Sequence, residues 1–186
     1  MYWWAKYKRL NLFWTPFLLV MLLYSCTEEL STATSNRQRH IDLPAFFQSE
    51  VNRLKQENPS VQKTVSVGEG NEQQDVTIND WSTELASFLS IDLNKAAYRD
   101  DIQKDSIPNL VTYRIDNPDL DIDTVSITYE SGQPVAIQIV RHIDNFLYNT
   151  QERLQYHKRQ GYSIEKKQSV WILGDNTYYI EGKFSK

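Results

Sequence analysis

The chain has 186 residues, 20 Lys+Arg against 24 Asp+Glu, and a single Cys, a length that suits one compact domain. One cysteine excludes an internal disulfide framework and a zinc site made of several cysteines, and the net charge of −4 gives no support for a nucleic-acid partner. A mean hydropathy of −0.56 excludes a protein with several membrane spans, and the 5 Trp and 11 Tyr argue against disorder.

The first 25 residues have the pattern of a secretory signal. Residues 1–11 carry basic side chains and no acidic one, and residues 12–24 form an apolar run. This run is shorter than the roughly 20 apolar residues that a transmembrane helix needs. We therefore expect residues 1–25 to be a signal peptide. The alternative is an uncleaved anchor with an interfacial aromatic belt, formed by Trp3, Trp4, Tyr7 and Trp14.

Cys26 follows this apolar run, with Leu23 three positions before it and Ser25 immediately before it. This pattern resembles the lipobox of bacterial lipoproteins, with Tyr24 departing from the small or aliphatic residue usual at its position. The resemblance implies that the signal is cleaved before Cys26 and that Cys26 is diacylated. The acyl chains would then anchor the protein to a membrane of the cell envelope.

Residues 26–40 are predicted to be the lipidated cysteine and a flexible tether, because their mostly polar side chains cannot bury enough apolar surface to order themselves. The segment Thr27-Glu28-Glu29 is similar to acidic signals that send some Gram-negative lipoproteins to the outer face of the outer membrane. The alternative is a merely polar start to the tether. We expect anchoring in the outer membrane, with the domain facing the periplasm or the cell surface.

Residues 41–186 are predicted to form a single α+β domain that begins with its helices. Apolar residues recur at helical spacing over residues 43–57 and again after Asp80, with residues 91–98 adding a further turn or two. Between the two helices, residues 61–67 read as a short strand that leads into a polar loop.

After about residue 108 the apolar period changes to the alternation of β-strands. Turn residues at Ser131-Gly132 and at residues 174–176 indicate antiparallel hairpins. Residues 148–159 remain open between a helix and a strand, and the strand fits the alternating neighbours better. The predicted fold class is α+β, with two or three N-terminal helices packed on a five- or six-stranded antiparallel β-meander.

An acidic segment precedes one predicted strand. Asp119, Asp121 and Asp123 have the spacing of the first ligands of a calcium loop, and Glu130 stands at the position of the last. Thr124 occupies the position where such a loop needs glycine. A solvated acidic bend is the preferred interpretation, so we expect neither a metal nor a cofactor.

His142 and Asp144 are two residues apart, which places both side chains on one face of a strand. A histidine oriented by a carboxylate is part of many hydrolytic sites. The sequence contains no Gly-x-Ser-x-Gly motif to supply a nucleophile. A surface pair without a catalytic role is therefore preferred, and the enzyme alternative uses His142 as general base with Asp144 or one of the upstream aspartates.

Large aromatic rings accompany most of the predicted strands. The rings that we consider as a binding face are Tyr129, Tyr148, Tyr156, Tyr162, Trp171 and Tyr178. Such rings supply contact area and a polar tip, although they also fill ordinary sheets. The sequence favours a lipid-anchored envelope protein with a non-catalytic binding or assembly domain. Its partner would be an envelope protein or a small apolar or glycan ligand, and an envelope enzyme is the alternative.

Overall fold

A computed structural model describes residues 40–68, 70–172 and 174–185. The predictions for the signal peptide, for Cys26 and for residues 27–39 lie outside these residues. Among the helices in the described part of the chain, none has both the length and the apolar character needed to cross a membrane.

Helix α1 spans Leu43–Glu57, as the sequence predicts. Asp42 caps its N-terminus, because its carboxylate accepts a hydrogen bond of 2.9 Å from the backbone N–H of Ala45. Asn58 ends the helix in the left-handed conformation, with a φ of 43°. Two four-residue helices, α2 (Trp81–Glu84) and α3 (Ala86–Leu89), and a 3-10 turn at Ala96–Tyr98 follow.

The described residues include nine strands that form one antiparallel sheet. The strands are β1 (Ser60–Val67), β2 (Gly70–Thr77), β3 (Ile102–Ile107), β4 (Leu110–Ile115), β5 (Ile122–Glu130), β6 (Gln133–Asp144), β7 (Tyr148–His157), β8 (Gly161–Val170) and β9 (Gly174–Ser185). Their order across the sheet is β2-β1-β9-β8-β7-β6-β5-β4-β3. Strands β3 to β9 form a meander, and the β1–β2 hairpin pairs with the outer edge of β9.

The predicted α+β layout, with two or three helices on a five- or six-stranded meander, is wrong, because the structure is mostly antiparallel sheet. Strands β2 and β3 are the two edges of the sheet, and their exposed, mainly polar residues give no alternation to detect. The predicted second helix is interrupted at Leu85, whose ψ of 16° ends α2 after one turn. The open segment after Tyr148 is strand β7.

The two faces of this sheet differ because side chains alternate along each strand. The helices pack on one of them, which we call the covered face. There the ring of Phe47 on α1 lies 5.0 Å from that of Phe88 on α3 and 5.3 Å from that of Tyr156 on β7. The opposite side, which we call the open face, carries the intervening residues of the same strands, such as Gln138 and Gln155.

Candidate functional site

A straight row of polar side chains crosses seven strands of the open face. Each member is directly opposite the next in the strand register, so the row follows from pairing alone. The row is Thr64, Glu181, Ser163, Gln155, Gln138, Ser126 and Thr112. Hydroxyl and amide groups make up most of it, and they offer both donors and acceptors of hydrogen bonds.

Five members of this row, from Glu181 to Ser126, line an open depression of about 520 Å³. Its walls extend from Leu110 on β4 to Lys183 on β9, two strands that are not neighbours in the sheet. The depression therefore crosses the six consecutive strands from β9 to β4 on the open face. The small residues Ala136 and Gly161 leave space between the larger lining side chains.

The depression is close to neutral. Its lysine and its glutamate neutralise each other, since the Lys183 Nζ lies 3.1 Å from Glu181 Oε2. Thr112 and Ser126 hydroxyl oxygens lie 3.4 Å apart in the polar row. Such a surface is suited to an uncharged ligand rich in hydroxyl groups, whose donors and acceptors it would match.

A buried charged group on the covered face holds β7 against α1. Glu50 of α1 is 2% exposed, and its Oε2 accepts hydrogen bonds from the Tyr156 hydroxyl at 2.7 Å and from Arg53 at 2.8 Å. Lys158 lies 3.3 Å from its other oxygen. Burial raises the pKa of Glu50, but the hydrogen bonds from Arg53 and Tyr156 and the two nearby cations outweigh it, so its pKa lies below the ordinary value.

A second group anchors β8. The hydroxyl of Tyr162 donates to Glu84 of α2, and Lys63 on β1 lies 2.7 Å from the same carboxylate oxygen. Gly182 on β9 permits this arrangement, because a Cβ there would lie 2.4 Å from the ring of Tyr162. Sequence reasoning missed both groups, since only the folded chain brings their members together.

The six aromatic rings considered as a binding face are not brought together. Tyr156 and Tyr162 are buried, and their hydroxyls are bonded to the helices. Tyr129 is half-buried against the core, and Tyr148 and Tyr178 lie half-buried near the starts of β7 and β9. Trp171 is exposed in a turn. Sequence alone could not tell which rings face the helices.

His142 lies near the end of β6, and Asp123, rather than Asp144, is its carboxylate partner. The Nδ1 atom is 2.6 Å from Asp123 Oδ1, and Nε2 is 3.2 Å from the carbonyl oxygen of Pro118. The hydrogen bond to the Pro118 carbonyl raises the pKa of His142, as does the Asp123 carboxylate, and both outweigh the opposite effect of burial. Because both partners are acceptors, the geometry suits the doubly protonated ring, which has no lone pair to accept a proton.

The acidic residues Asp119, Asp121 and Asp123 have separate hydrogen-bond partners. Asp121 accepts a hydrogen bond from the Tyr98 hydroxyl, and Asp123 bonds to His142. The backbone N–H of Asp119 is bonded to the side chain of Asn117. In the described part of the chain, no three carboxylate, histidine or cysteine side chains are grouped so as to hold a metal ion.

Two neighbouring hairpin turns carry large exposed apolar side chains. The β6–β7 turn presents Phe146 and Leu147, and the turn after β8 presents Trp171 and Ile172. The sequence predicts the second turn at residues 174–176, but β9 already begins at Gly174. Trp171 and Ile172 are therefore turn residues, and we call these four side chains the apolar tip.

The chain matches no protein-family model, no curated protein and no solved structure. We therefore infer its function from its own sequence and geometry.

Proposed function

We propose that the protein is a lipid-anchored lipoprotein of the bacterial outer membrane, whose domain binds a neutral glycan in the depression of the open face. The observation that carries the binding proposal is the polar row, because its members Ser163, Gln155, Gln138 and Ser126 line a depression accessible to solvent. The lipobox ending at Cys26 supports the anchor.

A glycan suits the depression better than the other partners considered. A small apolar ligand needs a mostly apolar pocket, whereas the lining of the depression includes six serine, threonine and glutamine residues together with Glu181 and Lys183. A strongly charged ligand would have to compete with the ion pair between Lys183 and Glu181. An uncharged polyhydroxyl ligand needs neither an apolar pocket nor a broken ion pair.

The enzyme alternative has less support from the geometry. Its general base, His142, has an acceptor at each ring nitrogen, whereas a general base needs an unprotonated nitrogen that faces its substrate. The depression instead lies on other residues of the open face. Binding without catalysis is therefore the function that we favour.

The anchor is tested by the mass of the protein isolated from the envelope of the bacterium that makes it. We expect a mature chain that begins at a diacylated Cys26, found in the outer-membrane fraction. Replacement of Cys26 by Ser should abolish both the acylation and the cleavage before it. An intact Met1, or cleavage at another residue, would overturn the proposed anchor.

The binding site is tested with immobilised dextran, starch and mannan as neutral glycan probes. We expect the mature protein to bind at least one of them. The double variant Gln138→Ala, Gln155→Ala should weaken that binding by about tenfold, as expected for the loss of two hydrogen bonds. The matched control is Gln74→Ala, Gln103→Ala on the exposed edge strands β2 and β3, which should bind like wild type. Equal weakening by both pairs, or no binding to any probe, would contradict the proposal.

A further inference from the structure

The apolar tip is built by two hairpins that support each other. The exposed fractions of its side chains are 85% for Phe146, 63% for Leu147, 79% for Trp171 and 86% for Ile172. The rings of Phe146 and Trp171 pack edge to face at 6.1 Å. The backbone nitrogen of Trp171 donates a hydrogen bond to the carbonyl oxygen of Leu147, at 3.4 Å. Asn145 fixes the first turn, because its side chain accepts hydrogen bonds from Leu147 and Tyr148.

These side chains add little to the packing of the domain, because most of their surface remains in water. Single exposed apolar residues are ordinary on protein surfaces, but a contiguous group of large ones marks an interaction site. The segments 144–149 and 169–172 contain no lysine or arginine, and two acidic residues lie beside the tip, Asp144 and Asp175, which is opposite Ser169 in the strand register. Attraction at this tip must therefore be apolar rather than electrostatic.

The residue composition of the tip fits the interfacial region of a bilayer. Tryptophan and phenylalanine beside leucine and isoleucine are the side chains that enter the boundary between headgroups and acyl chains. The absence of basic residues in segments 144–149 and 169–172 means that the contact needs no anionic lipid.

The start of the described domain lies within reach of the same membrane. The ring of His40 packs at 5.3 Å on that of Tyr113, which is level with Ile139 in the strand register. From Ile139 to Phe146 the chain advances about 23 Å at the rise of a strand. A segment as long as residues 27–39 reaches about 45 Å when extended, so lipid at Cys26 and the tip can meet one bilayer.

We propose that the apolar tip is a membrane contact that enters the interfacial region of the bilayer carrying the lipid anchor. This inference rests on the proposed anchoring at Cys26. The tip lies where β6 and β8 end, whereas His157 and Gly161 in the depression lie at the opposite ends of β7 and β8. Insertion of the tip therefore directs the glycan-binding depression away from the membrane surface.

Tryptophan fluorescence tests the contact directly. Cleavage before Cys26 leaves Trp81 and Trp171 in the chain, and Trp81 is only 1% exposed. The mature lipoprotein is reconstituted into phosphatidylcholine vesicles with or without bromine on the acyl chains. We expect brominated lipid to remove up to about half of the emission, since one of the two tryptophans enters the interface. Raised salt should leave this quenching unchanged.

Three variants distinguish the tip from the rest of the surface. Trp171→Phe keeps the tip apolar but removes the reporter, so its remaining emission should resist brominated lipid. The double variant Phe146→Ser, Ile172→Ser should lower the quenching of Trp171. Ile107→Ser changes an exposed apolar residue at the other end of the sheet and should leave the quenching at the wild-type level.

The outcomes separate this inference from the proposed anchor. A mature chain that is acylated at Cys26 but shows no quenching of Trp171 would overturn the membrane contact and leave the anchor intact. Absent quenching together with a cross-linked dimer that Phe146→Ser, Ile172→Ser abolishes would assign the tip to a second copy instead. An unacylated protein would overturn the anchor itself, whatever the fluorescence.

Discussion

The covered and open faces of the sheet are made by alternate residues of the same strands, and they differ in burial and polarity. On β7, Leu154 and Tyr156 are buried beneath the helices, while Gln155 between them faces the depression. The apolar residues of the covered face provide the burial that stabilises the fold. The polar residues of the open face are left available to a ligand, so the residues for stability and those for the proposed binding lie one position apart in the sequence.

The covered face also contains charged groups, although most of its side chains are apolar. Glu50 is buried, and an unpaired carboxylate there would be strongly destabilising. Hydrogen bonds from Tyr156 and Arg53 satisfy it and tie one helix to one strand. Buried polar pairs therefore position α1 on the sheet, and the surrounding apolar contacts hold it there.

The largest expected effect comes from removing a ring from the covered face. Phe47 is fully buried and packs against Phe88 and Tyr156. Phe47→Ala should lower the free energy of unfolding by about 3–5 kcal/mol, because it leaves a cavity. Urea denaturation of the mature protein measures this. Phe146→Ala, which removes an equally large but exposed ring, should change stability by no more than about 0.5 kcal/mol. Similar losses in both variants would refute the assigned burial.

A smaller effect should follow from removing one hydroxyl beneath the same helix. Tyr156→Phe leaves the buried carboxylate of Glu50 without one of its donors, and we expect a loss of about 1–3 kcal/mol. Tyr178→Phe, in a half-buried ring of β9, is the matched control and should be close to neutral in the same denaturation experiment. If the two variants are equally stable, the hydrogen bond to Glu50 does not anchor α1.

Local signals in the sequence predict those elements whose boundaries are local. Helix α1 has a capping Asp42, apolar residues at helical spacing and the stop at Asn58-Pro59, so its bounds are correctly predicted. The central strands β4 to β6 alternate because one face is buried. Strands β2 and β3 are exposed edges, where no burial imposes a pattern on the side chains.

The site is less predictable because its members meet through pairing over long sequence distances. The alternation of side chains predicts which residues of a strand share a face, but it does not predict which face the helices cover. The rings of Tyr156 and Tyr162 therefore look like binding residues in the sequence, although they are buried. In the same way His142 bonds to Asp123, which lies at an irregularity of the β5–β6 pairing between Ile122 and Thr124 that the sequence pattern does not indicate.

The ion pair of His142 and Asp123 lies near the end of β6, at the rim of the open face. It should make a small, pH-dependent contribution to the free energy of unfolding. The pKa of His142 is raised above its ordinary value of 6.5. Its contribution is therefore fully present below about pH 6.5 and is lost as the pH rises through the raised folded-state pKa. His142→Gln should cost about 1 kcal/mol or less near pH 5.5, and the difference from wild type should shrink towards pH 9.

Denaturation of both proteins over this pH range measures the difference. His157→Gln is the matched control, since Nδ1 of His157 accepts a hydrogen bond from the backbone N–H of Arg159 and no described carboxylate is bonded to it. A difference for His142→Gln that grows with pH would reverse the sign and exclude the charged pair.

The smallest effect on stability is expected for substitutions in the polar row of the open face. It would show that this face, unlike the covered face, contributes little to stability. Gln138 and Gln155 lie opposite each other on β6 and β7 and point away from the core. Gln138→Ala, Gln155→Ala should change the free energy of unfolding by no more than about 0.5 kcal/mol per residue, as for other surface substitutions. The same double variant should nevertheless bind the glycan probe about tenfold more weakly. A loss of stability comparable with that of Phe47→Ala would mean that the row is part of the structural core, and any lost binding would then report unfolding instead of a missing contact.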